Sequence, residues 1–153
     1  MKKLLLIALL IVGCEESTTE SSVDPLIGSW NWIQQTAIIG EQNITQNQEI
    51  IIIPESTFVN LPDTNNFRLL TFNEEKTFIM SGKMNGVDYL STGVWSKNDS
   101  EIVISEENFG VLDSITPYDS VLIMTFDYSL VIDTLILSQS GNNTIINNRY
   151  QRD

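Results

Sequence analysis

One thiol, Cys14, and no histidine at all set the limits on the chemistry open to this chain of 153 residues. Without imidazole there is no Ser-His-Asp or Cys-His nucleophile, no histidine general base and no histidine-ligated transition metal. The sequence holds no Walker-type or dinucleotide-binding glycine loop. It also lacks an Asp-x-Asp-x-Asp-Gly calcium loop. Carboxylates remain. Glu74-Glu75 and Glu106-Glu107 are adjacent pairs, and neighbours on an extended chain point to opposite sides, so neither pair reads as an acid–base dyad. Asp113, Asp119, Asp127 and Asp133 would bind Ca²⁺ only if folding gathered them, and solvated turns and strand edges account for them more simply. The expectation is a protein that is not an enzyme, with no catalytic residue, metal or cofactor.

Acylation is the chemistry that suits Cys14. Met1-Lys2-Lys3 is a short basic start, and Leu4 to Val12 is an unbroken apolar run. That run is too short for a membrane-spanning helix, which needs about 20 apolar residues, but it has the length of a signal-peptide core. Ile11-Val12-Gly13-Cys14 resembles the lipobox of bacterial lipoproteins. The resemblance implies cleavage before Cys14 and a diacylglycerol on its thiol. Residues 1–13 are then a lipoprotein signal peptide, residues 14–24 a lipidated Cys with a flexible acidic linker, and residues 25–153 the folded domain. Residues 15–24 have almost no apolar content and read as disordered, a tether of roughly 15–20 Å. The expected location is the cell envelope, lipid-anchored, with the outer membrane preferred and the periplasmic or surface face left open.

The charge fits an anchor that depends on lipid alone. The chain has 8 Lys+Arg and 20 Asp+Glu, and setting aside Lys2 and Lys3 leaves 6 against 20, a net −14. Such a surface repels nucleic acid and anionic headgroups, which excludes a nucleic-acid partner. Each buried acyl CH₂ contributes about 0.8 kcal/mol, and two chains are enough for stable attachment.

After Pro25 the pattern is all-β. Short runs of β-branched and aromatic residues alternate with Asn, Gly, Asp, Ser and Pro. The runs predict strands near 28–38, 48–53, 67–72, 77–84, 87–96, 101–105, 120–128, 130–137 and 144–151. Asn85-Gly86 is the clearest hairpin signal, because a type I′ turn needs φ > 0 at both central positions. Residues 55–66 and 106–119 read as longer loops carrying apolar residues. Eight or nine strands on short connections predict a small up-and-down antiparallel β-barrel, with a two-sheet sandwich as the alternative.

Three pieces of sequence resemble bacterial lipocalin-like lipoprotein domains, which are calycin-type barrels. Gly28-Ser29-Trp30 resembles the opening Gly-x-Trp signature. Phe72-Asn73-Glu74-Glu75-Lys76-Thr77-Phe78 resembles the Phe-turn-Phe hairpin that leads to Gly93-Val94-Trp95. Thr134 to Leu137, followed by Arg149 to Arg152, resembles the closing strands. The resemblance implies that Trp30 packs across the closed end with a cation over it from the last strand. Arg152 is preferred to Arg149 for that cation. It also implies a small hydrophobic ligand in the barrel, lined by Phe72, Phe78, Met80, Tyr89, Trp95, Ile123 and Ile136. No convincing match exists for the Thr-Asp-Tyr element of many lipocalins, which argues against a large cavity. The rival reading is a packed barrel that presents loops 55–66 and 106–119 to a protein partner, as a protease inhibitor would.

Overall fold

A computed structural model of the chain describes residues 23–46, 48–111 and 116–153. The signal-peptide reading of 1–13, Cys14 and nearly all of the 14–24 linker lie outside the described residues.

The described chain contains strands and turns and no helix. In order the strands are β1 (Gly28–Ile39), β2 (Gln42–Gln46), β3 (Glu49–Ile53), β4 (Ser56–Asn60), β5 (Phe67–Phe72), β6 (Thr77–Met84), β7 (Val87–Lys97), β8 (Glu101–Val111), β9 (Thr116–Val131), β10 (Thr134–Gly141) and β11 (Thr144–Arg152). Strands β5 to β11 pair in sequence, each antiparallel to the next, and both β5 and β11 pair with β1. Eight strands thereby close into a barrel, with Trp30 opposite Arg152 and Ile39 opposite Thr144 along the closing seam. Closure excludes the sandwich and pairs each of the eight barrel strands on both sides, so none of these is an open edge that would template aggregation.

Three readings need correction. Residues 55–66 are not simply a loop: β4 extends the wall, pairing Ser56–Asn60 with Gln35–Ile39 beyond the point where β5 covers β1. Most of 106–119 belongs to β8 and β9, leaving a connection at 112–115, outside the described residues. Finally, 130–137 is no single strand. The chain reverses at Ile132-Asp133, with Ile132 at φ 55. A β-branched residue rarely takes this conformation, so its side chain gives no turn signal.

The asparagine turns match their sequence signals. Asn85 and Gly86 have φ of 51 and 81, and Asn142 and Asn143 have φ of 44 and 62. These two turns lie at one end of the barrel. The other end carries the 73–76, 98–100 and 132–133 turns together with Trp30 and Arg152.

The core fills that second end. Leu26, Trp30, Phe72, Phe78, Ile102 and Leu135 are among its fully buried side chains, and Trp95 joins them, its ring meeting Phe72 edge-on at 5.1 Å. Full burial of side chains of this size contributes about 1.5–3 kcal/mol each. Gly93 shows why the Gly-x-Trp strand needs its glycine. A Cβ there would lie 2.0 Å from the Ser105 carbonyl oxygen and 2.9 Å from the Phe78 ring. Opposite strands approach too closely at this bulge to admit any side chain.

Candidate functional site

Inward-facing positions follow from alternation, read across the bulges. In β5 they are Arg68, Leu70 and Phe72; in β6, Phe78 and Met80; in β10, Leu135, Leu137 and Gln139. In β1 the register shifts between Trp32 and Gln34, so Ile33 is an extra residue and the inner face runs Trp30, Trp32, Gln35. Going from the Trp30 end toward the Asn85-Gly86 end, the inner wall changes from apolar to polar. Ser91, Glu106 and Asn148 are its buried polar residues.

Between the two levels lies an interior cavity of about 230 Å³. Leu70, Phe78, Met80, Ile104, Met124 and Phe126 form its apolar walls, and Gln35, Arg68, Gln139, Asn148 and Tyr150 its polar side. An apolar cavity of about 150 Å³ is already enough to bind benzene or xenon. This space is therefore large enough for a small apolar group, and it falls below the roughly 300 Å³ of ordinary small-molecule sites.

The structure distributes the anticipated lining residues unevenly. Phe78 and Met80 line the cavity. Phe72 and Trp95 face inward below it, in the packed end. Tyr89 is buried nearer the polar end, 6.0 Å from Phe109. Two residues must be corrected. Ile123 is 65% exposed, and Ile136 sits between the buried Leu135 and Leu137. Both lie on the outer face, because Met124 and Phe126 in β9, and Leu135 and Leu137 in β10, hold the inward parity. Arg68, Gln35 and Asn148 were missed. Parity was the signal for two of them, Arg68 being two and four residues from Leu70 and Phe72 and Asn148 two from Tyr150, whereas the bulge after Trp32 hid Gln35.

At the closed end, the Arg152 guanidinium carbon is 4.3 Å from the Trp30 ring centroid. Its Nη1 donates to the Ile27 carbonyl at 3.1 Å, and its Nη2 to that of Pro25. Trp30 Nε1 donates to the Leu26 carbonyl at 2.9 Å. Arg149 is exposed on the outer face. Asp24 completes the seal, with ion pairs of 3.1 Å to Lys76 and 2.9 Å to Lys97. Lys76 in turn lies 3.8 Å above the Trp95 ring.

Burial works against the charged form of Asp24. Hydrogen bonds from Lys97, the Leu26 backbone N–H and Lys76 together outweigh it and hold the carboxyl below its ordinary value. A carboxylate with a depressed folded-state pKa adds stability above its unfolded pKa, and that stability is lost as pH falls through the folded value. Asp24→Asn is therefore expected to destabilise the barrel near neutrality. The gap from wild type should close as pH falls below the ordinary aspartate range of about 4. Urea midpoints across pH 2.5–7 measure this.

On the polar side, burial pushes the Tyr89 phenol up to about 12 and raises that of Tyr150 as well, against the pull of the Arg68 guanidinium beside them. Both phenols stay neutral, and the Tyr150 hydroxyl accepts a hydrogen bond from Arg68. Glu106 is buried and Glu107, the extra residue at a register shift, is exposed, and Glu74 and Glu75 lie exposed in a turn. Among the described residues no three Asp, Glu, Cys or His side chains gather as metal ligands would.

Fold and cavity define a small closed antiparallel barrel, plugged at one end and hollow inside, compatible with a calycin-like architecture. No protein-family model matches the chain, and no curated protein or solved structure is significantly similar to it.

Proposed function

We propose that the protein is a membrane-anchored lipoprotein whose lipocalin-like barrel holds one small, largely apolar molecule. The observation that carries the reading is the interior cavity of about 230 Å³, lined by Leu70, Phe78, Met80, Ile104, Met124 and Phe126 where a solid core would otherwise continue. Dry, close-packed interiors leave few voids larger than a water, and a space of this size with apolar walls favours an organic guest. Cys14 supplies the anchor on this reading, through a diacylglycerol on its thiol. The tether joins the fold at Asp24, on the plugged end, so the hollow, polar end is the one remote from the attachment point.

The test is native mass spectrometry of the chain from Val23 onward, which contains every strand and every buried residue described and carries no acyl group of its own. One molecule of a low-mass apolar compound per barrel is expected, either co-purified or taken up from a bacterial lipid extract. Protein that stays at its bare mass after exposure to the extract would contradict the proposal.

The packed-barrel alternative is supported by exposed apolar residues in segment 55–66, Phe58 at 53%, Val59 at 53% and Leu61 at 63%, and by a second feature. The β2–β3 hairpin pairs with no other described strand and exposes Ile50 at 72% and Ile52 at 60%. Exposed apolar surface of this kind marks interaction sites.

A further inference from the structure

Arg68 stands at the junction of two spaces. One is the interior cavity. The other is a recess of about 420 Å³ on the flank of the barrel, and the two share only Arg68 and Gln35. The recess arises from the pairing. Strand β1 passes from Asn60 of β4, opposite Gln35, to Leu69 of β5, opposite Asn31, and residues 61–66 swing outward between them. That excursion is held in place by Asp63, whose Oδ1 accepts from the Asn65 and Asn66 backbone N–H groups at 2.7 and 2.8 Å. It also docks on the β6–β7 turn, where Gly86 N–H donates to the Asn65 carbonyl at 2.9 Å.

Arg68 is the cation at this junction, and Asp63, which also lines the recess, is engaged with its own loop. Of the six described cations, Lys76, Lys83, Lys97 and Arg152 pair with carboxylates, and Arg149 is exposed on the outer face. No described carboxylate lies within 4.0 Å of Arg68. Its contacts are neutral: the Trp32 ring at 5.0 Å, a long hydrogen bond of 3.5 Å to Asn148 Oδ1 and the Tyr150 hydroxyl. A guanidinium has five N–H donors in a fork suited to a carboxylate. Trp32 also lines the recess, and its buried Nε1–H has no hydrogen-bond partner. An inward cation with no described carboxylate within 4.0 Å lacks an anionic acceptor. In a chain with 20 Asp+Glu, none of those described takes that place.

Resting on the reading that the barrel holds a guest, we propose that the guest is a single-chain amphiphile with a carboxylate head. The head sits on Arg68 within reach of the recess, and the tail fills the apolar cavity. A water takes about 30 Å³, and a methylene about as much. The cavity of about 230 Å³ then admits a tail of about seven or eight carbons. A two-chain phospholipid does not fit.

Isothermal titration of the chain from Val23 with octanoate and with 1-octanol tests this. Octanoate is expected to bind with one-to-one stoichiometry and at least about tenfold more tightly than octanol, the range that hydrogen bonds to charged groups supply. Arg68→Met should weaken octanoate about 10- to 100-fold while leaving octanol within about threefold, and Arg68→Lys should retain part of the preference. The octanol titration and the melting curve of each variant show that its barrel is intact. Equal affinity of the wild-type protein for acid and alcohol would overturn the carboxylate assignment while leaving the ligand-binding reading in place. Binding of neither would remove both.

Discussion

Replacing Trp30 with Ala is expected to destabilise the barrel by about 3–5 kcal/mol, the usual cost of truncating a buried aromatic. Trp30 is fully buried and joins three parts of the fold. It pairs with Arg152 across the closing seam and with Leu70 of β5. Its Nε1–H satisfies the carbonyl of Leu26, the residue that plugs the end from below. Truncation therefore opens a cavity, orphans a buried carbonyl and removes the ring beneath Arg152. Domains of this kind have about 5–15 kcal/mol in total, so the variant sits near the edge of folding. Arg152→Ala should cost less, because a cation–π contact contributes about 0.5–2 kcal/mol and the ring below it stays packed. Urea unfolding followed by circular dichroism measures both. A loss below about 1 kcal/mol for Trp30→Ala would show that the end is not closed by this residue.

The second large effect concerns location. Cys14→Ser is expected to move the protein from the membrane pellet wholly into the soluble fraction. The acyl chains supply all of the attachment on this account, at about 0.8 kcal/mol per buried CH₂. The protein surface supplies none, since a domain carrying 6 Lys+Arg against 20 Asp+Glu after Lys3 is repelled by anionic headgroups. Fractionation with and without a high-salt wash reads the result. A serine variant that stays in the pellet through the wash would contradict lipid anchoring at Cys14.

How far the sequence revealed this fold depended on whether side chains carry the backbone's instructions. Asn85-Gly86 and Asn142-Asn143 announce their turns, because those residue types tolerate φ > 0. Ile132 takes the same region without the chemistry that marks it, so the β9–β10 reversal was placed too early, between 128 and 130, and the end of β9 was assigned to the next strand. The count of runs and the shortness of connections favoured a barrel, but patterning left a sandwich open, and only the β1 pairing with β5 and β11 shows closure. Inward parity was less so. Strand β10 reads Leu135-Ile136-Leu137, apolar at every position, and only pairing decides which face is inside. Strand β3 has Ile at four consecutive positions and is exposed along its whole length, so composition alone suggested more burial than the fold provides. Register shifts after Trp32, Thr92 and Glu106 break the alternation that a sequence reader must assume. Arg68 was hidden for a related reason. A charged residue on a strand is read as facing solvent, and here it shares the inner face with Leu70 and Phe72.

The most direct test of a hollow, ligand-holding barrel uses its own methionines. Met80 and Met124 line the cavity, whereas Met84 is 55% exposed on the flank. With ¹³C-labelled methionine methyl groups, octanoate is added while the three resonances are followed by NMR. The account predicts saturable shifts at Met80 and Met124 that reach their end point together at one equivalent. Unmoved Met80 and Met124 signals, with or without a change at Met84, would show that the interior takes no guest and would contradict it.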